Sequence, residues 1–588
     1  MGQSKSSTSA SASSAPVPQV PSASSSQQKP NTNTDAMNSN RNNEAAAAAA
    51  AAAGSESNAS LSAEEKEARK AEKKAAKAAE KAAKEEAKRL RAEEEQKKRK
   101  LAGGVGFEVM QQPPVKLEPP SGTRDFYPDD YRLQTWLFDK FHAAARASGF
   151  ELFDAPVLER QELYKRKAGE EITSQMYGFV DGDGEEVTLR PEMTPTLARM
   201  ALGRAHSQIL PLKWYSIPQC WRYEAIQRGR KREHYQWNVD IIGCRSVSAE
   251  VELLSTAVFF FKSVGITNAD VKIKVNSRKV MGDVLAAAGV PTESFAPVCV
   301  ILDKLDKIGA EAVEEQLLEV AKLPADVSKR VLAVLACPNL DALRTLAKDS
   351  GVSDGEGMKD LESVFELANA YGFGDWLKFD ASLVRGLAYY TGVVFEAFDV
   401  RGELRAIMGG GRYDRLLSLY GAMTEVPACG FGFGDCVIVE LLKERGQLPH
   451  LPRNVDVVVA PFSADMQGPA MTVAAGLRAG GARVDLMLEA KKKAGAAFDY
   501  ANRVGAEYIA FVAPNEFSQG KVRFKDLRVE DEDRKQVDLN LNELDRALDA
   551  LGENRRLAKG LSSSMSALSL DASDTATLYG GVVRATLA

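Results

Sequence analysis

Residues 220–243 read CWRYEAIQRGRKREHYQWNVDIIG. Alternate residues of a strand share a face. In the second arm Tyr235, Trp237, Val239 and Ile241 fall on one side, with Gln236, Asn238 and Asp240 on the other. In the first arm Arg222 and Glu224 share a face, opposite Trp221 and Tyr223. Two such arms around a short polar tip predict a hairpin within a sheet. One face offers an arginine, a glutamate, a glutamine and an aspartate, backed by an aromatic layer. A solvated sheet face would give the same alternation. The tip weighs against that reading, because Arg228, Arg230, Lys231 and Arg232 crowd into five residues, as a polyanion contact requires.

The surrounding chain has 588 residues, too many for one core, so several domains are expected. Its 44% hydrophobic and 27% charged residues are those of a soluble globular protein. A net charge of -5 confines any nucleic-acid contact to local basic patches. The six cysteines are scattered, none at zinc-ligand spacing, which fits a reducing compartment and no protein-held metal. With four histidines, none beside a recognisable nucleophile, a Ser-His-Asp enzyme is a poor fit. No apolar run reaches membrane-spanning length.

Residues 1–60 are rich in Ser, Ala, Asn and Gln, and are expected to be disordered. The start MGQSKS fits an acylation pattern that a serine-rich tail can produce by chance. Residues 61–101 are rich in Lys, Ala and Glu and predict a charged helix with no apolar face. It reads equally as a solvated spacer or as a loose nucleic-acid tether. An α+β body is expected over 119–445, built on an antiparallel sheet with a helical insertion at about 277–375. Strand and helix alternate over 453–551, which predicts a small α/β domain with a parallel core. A disordered tail is expected from 552 to 588.

The hairpin resembles motif 2 of the class II aminoacyl-tRNA synthetases. LVRGLAYYTGVVFEAF (383–398) resembles the histidine-specific motif of the histidyl-tRNA synthetase family. TLRPEMTPTLAR, PPSGTRDFYPDD and GGGRYDRLL fit the same family, in wording closest to the plant organellar type. The resemblance implies a class II antiparallel-sheet catalytic core and a C-terminal anticodon-binding domain. It implies activation of L-histidine by ATP with Mg²⁺, without an organic cofactor, and transfer to the 3′ adenosine of tRNA(His). Arg222 and Arg385 match the arginines that meet the α-phosphate. Glu192, Met193, Thr194, Gln236, Asp240, Tyr389 and Tyr390 match histidine-binding positions, together with the two arginines. Glu224 and Arg230, again with those arginines, match ATP contacts. Arg228, Lys231 and Arg232 are expected at tRNA phosphates.

The resemblance further implies a homodimer through GFELFDAPVLE and the apolar stripe of the helix at 130–148. Two departures stand out. Ala388 occupies a common aspartate position. Cys436-Val437 replaces the Glu-Arg pair that normally supplies a γ-phosphate arginine, leaving Arg412 or Arg230 to compensate. A catalytically silent paralogue acting as a regulatory subunit is the alternative. Cytoplasm is the first expectation for compartment, with mitochondrion or plastid as the alternative.

Overall fold

The computed structural model describes residues 115–558 apart from 168–172, 350, 352–354, 385–389, 492 and 530–534. The expected segments 1–60 and 61–101 lie outside the described residues, as do Arg385, Ala388 and Tyr389.

The body opens with the helix Pro128–Ala147, entered through Pro128 and carrying Asp129 and Asp130 in its first turn. Strand β1 (Glu151–Leu152) follows. Strands β2 (Leu158–Arg160), β3 (Tyr177–Val180) and β4 (Glu186–Leu189) make a separate small sheet in the order β2-β4-β3. The main sheet adds β5 (Leu212–Ser216), β6 (Gln219–Trp221), β7 (Glu233–Ile242), β8 (Val271–Ser277), β9 (Leu377–Phe379), β10 (Val393–Asp399), β11 (Met408–Arg412) and β12 (Ala428–Gly434). Its order is β1-β5-β7-β12-β11-β10-β8-β9, with β6 also paired to β7. The interior pairs are antiparallel, and only the edge pairs β1/β5 and β8/β9 are parallel.

The aromatic layer read from the hairpin forms the centre of this core. Trp237, Val239 and Ile241 are buried, and Trp237 stacks on Phe141 with ring centroids 4.7 Å apart. Phe141, Leu137 and Ala144 come from the helix Pro128–Ala147. The stripe expected to face a partner subunit is therefore consumed within the chain. The first arm also differs from expectation. Regular pairing in β6 ends at Trp221, and Pro218 separates β5 from β6. A proline donates no N–H to a ladder, so one continuous strand cannot form there.

Helices from Arg278 to Ala370 fill the expected insertion. Their buried residues, among them Met281, Val331 and Leu361, belong to the same hydrophobic cluster as the sheet. Ala381 and Ser382 form a turn, and β10 begins at Val393.

At the C-terminus, β13 (Val457–Pro461), β14 (Val484–Leu486) and β15 (Tyr508–Val512) pair in parallel. Two antiparallel strands, β16 (Lys521–Asp526) and β17 (Gln536–Asn540), extend that sheet. The parallel core was expected and the extension was not. The helix Ala547–Ala558 runs through Gly552, where a tail was expected to begin, and residues 559–588 lie outside the described residues. Buried Ala547 and Leu551 anchor it.

Candidate active site

The polar face of β7 forms one wall of a cavity of about 520 Å³, lined by His234, Gln236, Asn238 and Asp240. Its floor is made of glycine. The register sets Gly430 opposite Asp240, Gly432 opposite Asn238 and Gly434 opposite Gln236. A Cβ on Gly430 would stand 2.0 Å from Asp240 Oδ1, and one on Gly432 2.5 Å from Gln236 Nε2. The carboxylate and the amide thus lie across the neighbouring strand where side chains would otherwise be. On β11 a Cβ at Gly411 would meet the Tyr390 ring at 3.0 Å. Tyr390 lines the same cavity.

Asp240 is buried, and Tyr413 Oη donates a hydrogen bond to its Oδ1. A buried carboxylate is tolerable only with such partners. A hydroxyl and a carboxylate side by side form a surface able to read the two nitrogens of an imidazole. Tyr413, 173 residues from Asp240, was not among the expected site residues.

Glu192 and Thr194 line the wall at the start of the helix Thr194–Gly203, whose Pro195 sets the first turn. Tyr164 Oη donates to the Glu192 carbonyl at 3.2 Å and stands 3.1 Å from Thr196 Oγ1, which steadies this corner. Met193 departs from expectation. Its side chain is fully buried and absent from the cavity lining, with its sulfur 3.9 Å from Arg190 Nη1. At a helix start, consecutive side chains point in different directions.

Arg222 reaches the cavity from the first arm of the hairpin. Its Nε donates to the Pro191 carbonyl at 2.9 Å, and its Nη1 lies 4.0 Å from Glu224 Oε1. Glu224 also pairs with Arg230. The turn between the arms is closed by Gln227 and Arg230, with Gly229 at φ +70°. Gly229 faces Val437, whose Cγ2 would be 3.1 Å from an added Cβ. Glycine is required there on both counts.

The basic tip separates into distinct roles. Lys231 lines the cavity. Arg228 is exposed and pairs with Glu440, at 3.2 Å, and with Glu444. Arg232 stacks over Tyr223 at 4.1 Å and donates to the Ser121 and Glu224 carbonyls. That makes it an internal brace rather than an open phosphate contact.

The hairpin base is tied down by Arg124, from the GTRDFYP stretch. It meets Glu233 at 2.7 Å and Asp435 at 2.9 Å. Asp435 also accepts from the Tyr235 amide at 3.0 Å. His234 lies between these groups. Burial, and then the charges of Arg222, Arg124 and Arg230, push its imidazole down to about 3. It is a neutral ring in the cavity wall at physiological pH. Burial, with Asp435 beside it, also holds the Cys436 thiol above its usual range, so it is no thiolate nucleophile.

Arg412 does not replace the missing γ-phosphate arginine. It is buried and bidentate to Glu250 at 2.6 Å on both arms, and it also donates to the Cys244 and Ser246 carbonyls. Arg405, Glu396 and Asn238 complete the polar lining. Asn238 was read on this face of the strand; Arg405 was missed.

Comparison with known proteins gives the family. Residues 122–434 match a family model described as histidyl-tRNA synthetase, and residues 456–551 match one described as anticodon binding domain. The chain is 50% identical over 411 residues to the chloroplastic/mitochondrial histidine–tRNA ligase of Arabidopsis thaliana, spanning 70% of this chain and 83% of that protein. It is 37% identical to the histidine–tRNA ligase of Opitutus terrae, spanning 69% of this chain and 93% of that one. The crystal structure of histidyl-tRNA synthetase from Nostoc sp. superposes with a TM-score of 0.62 at 23% identity, over 74% of this chain and 99% of that one, a likeness of fold. The chain belongs to the histidyl-tRNA synthetase family.

Proposed function

We propose that the cavity on β7 is where this histidine–tRNA ligase activates L-histidine and from which it charges tRNA(His). The observation that carries this reading is the buried Asp240 carboxylate, held by Tyr413, in one cavity with Arg222. Asp240 and Tyr413 present an acceptor and a hydroxyl to the imidazole, with Tyr390 alongside. Glu192 and Thr194 take the α-ammonium and Gln236 the carboxylate side. A slot that hydrogen-bonds both ring nitrogens rejects apolar amino acids, since its buried polar groups would be left unsatisfied.

In the first step a histidine carboxylate oxygen attacks the α-phosphorus of ATP. The bond from that phosphorus to the bridging oxygen breaks, and pyrophosphate leaves with the electron pair. Arg222 stabilises charge on the α-phosphoryl oxygens, for which a guanidinium fork is suited. Arg385 is proposed on the sequence resemblance to meet the same group. In the second step a hydroxyl of the tRNA 3′ adenosine attacks the activated carbonyl and AMP leaves.

Among the described residues no cluster of His, Cys, Asp or Glu could cage a metal. A Mg²⁺ carried in on the triphosphate would keep several waters and take one or two carboxylates. Glu224 and Glu396 of the lining are the candidates, and the ion would neutralise phosphate charge.

A homodimer is proposed on what the fold leaves uncovered. Tyr127, Tyr131, Leu152, Val157 and Leu158 are exposed, and β1 is an edge strand. A monomeric mass in sedimentation at micromolar concentration, with full activity, would refute it. Among the described residues no helix is long and apolar enough to cross a membrane. For compartment, the Arabidopsis relative's name favours the organellar alternative over cytoplasm. Imaging the chain with and without residues 1–60 tests this. Charging of tRNA(His) transcript with labelled histidine tests the activity. Failure to charge, with intact folding and with histidine and ATP bound, would favour the silent paralogue.

A further inference from the structure

The polyphosphate end of the cavity lacks an expected cation. From Cys429 to Leu442 the chain holds no lysine or arginine. In the cavity wall this segment presents Cys436 and Val437, and Val437 is packed against the turn glycine Gly229. The cavity lining includes a different cation. Arg405 lies in the connection between β10 and β11 and lines the cavity. Its Nη1 stands 3.4 Å from Gln227 Oε1, on the hairpin tip next to Gly229 and Arg230. It therefore faces the same end of the cavity as Arg230 and Lys231, but from a different strand connection.

We propose that Arg405 grips the β- and γ-phosphates of ATP, opposite Arg230 and Lys231, and holds pyrophosphate in the reverse reaction. This rests on the functional reading above and assigns it a residue. Two physical points support it. A flexible triphosphate held from one wall only keeps much of its freedom, whereas cations on two walls fix it for in-line displacement. The Arg405–Gln227 contact is also long for a hydrogen bond, and an anionic oxygen is a stronger acceptor than an amide. A phosphate oxygen would therefore be a stronger acceptor for that Nη1 than Gln227 is. A purely structural role, bracing the hairpin tip through Gln227, is the competing explanation.

The two are separated by ligands that differ only in the tail. In the full chain, Arg405→Gln is expected to weaken ATP binding by calorimetry about tenfold or more, as loss of a charge-assisted contact does. AMP affinity should stay within about twofold, because AMP has no β- or γ-phosphate. In exchange assays the KM for ATP and for pyrophosphate should rise together, with the KM for histidine unchanged. Affinity for a non-hydrolysable sulfamoyl analogue of histidyl-adenylate should not move, and Arg405→Lys should recover part of the loss. Unchanged ATP affinity in Arg405→Gln, or an equal loss for ATP and AMP, overturns the proposal. If the wild-type chain shows no histidine-dependent exchange, the functional reading fails, and the ATP-against-AMP comparison still decides the role of Arg405.

Discussion

Replacing Gly430 with alanine adds one methyl group and replaces no side chain proposed to contact substrate. The added carbon falls 2.0 Å from Asp240 Oδ1 and 2.8 Å from Tyr413 Oη. An ordinary carbon–oxygen contact is about 3.3 Å, so the carboxylate must retreat by about 1.3 Å. That movement breaks its hydrogen bond with Tyr413. A hydrogen bond to a charged group contributes about 1.5–3 kcal/mol. At about 1.4 kcal/mol per factor of ten, kcat/KM for histidine should fall about 10- to 150-fold. Overpacking should also lower stability by about 1–3 kcal/mol. Pyrophosphate exchange with histidine varied at saturating ATP, and then the reverse, separates the substrates. The loss should appear with histidine, while the KM for ATP stays near wild type. Gly434→Ala is the control, because nothing lies within 4 Å of its added carbon. An unaltered histidine KM in Gly430→Ala, or an equal rise for ATP, would refute the placement of the imidazole against Asp240.

Arg124→Leu strands the buried carboxylates of Glu233 and Asp435, and should cost about 3–5 kcal/mol in urea unfolding. A loss under about 1 kcal/mol would mean that this network is not what holds the hairpin base. Because the folded chain keeps His234 neutral down to about 3, the unfolded chain takes up a proton below about 6.5 that the native state refuses. The stability from this group is therefore complete above that pH. It falls on acidification by up to about 1.4 kcal/mol per pH unit, a slope that His234→Gln should remove from the pH profile of unfolding. Arg385→Ala should slow adenylate formation about a hundredfold at an unchanged Tm. Arg385→Lys should rescue poorly, since an ammonium lacks the planar fork; near-normal exchange would leave Arg385 a structural role only.

The sequence revealed what depends on local repetition. The alternation of Trp237, Val239 and Ile241 with Gln236, Asn238 and Asp240 is a period of two, and the fold places each set as that period requires. The same logic applied to GFGFG would have given the cavity floor, because Gly430, Gly432 and Gly434 share the face opposite Phe431 and Phe433. What depends on partners far along the chain was not legible. Nothing near GGGRYD announces that Tyr413 would meet Asp240, or that Arg412 would be taken by Glu250 on the helix Ser248–Ser263. Arg405 resembles any loop arginine until the hairpin tip is placed beside it. Met193 was misplaced for the opposite reason. Its neighbours Glu192 and Thr194 reach the cavity, but a helix start does not keep adjacent side chains on one face.

Amino-acid specificity follows most directly from a cavity that sets Asp240 and Tyr413 against an imidazole. Purified full-length chain should be assayed for ATP–pyrophosphate exchange with each of the twenty amino acids in turn, with Mg²⁺ present. Exchange with histidine alone, lost in Arg222→Gln without a change in melting temperature, is the predicted result. Exchange driven by another amino acid, or none with histidine from a folded chain that binds ATP, would contradict it.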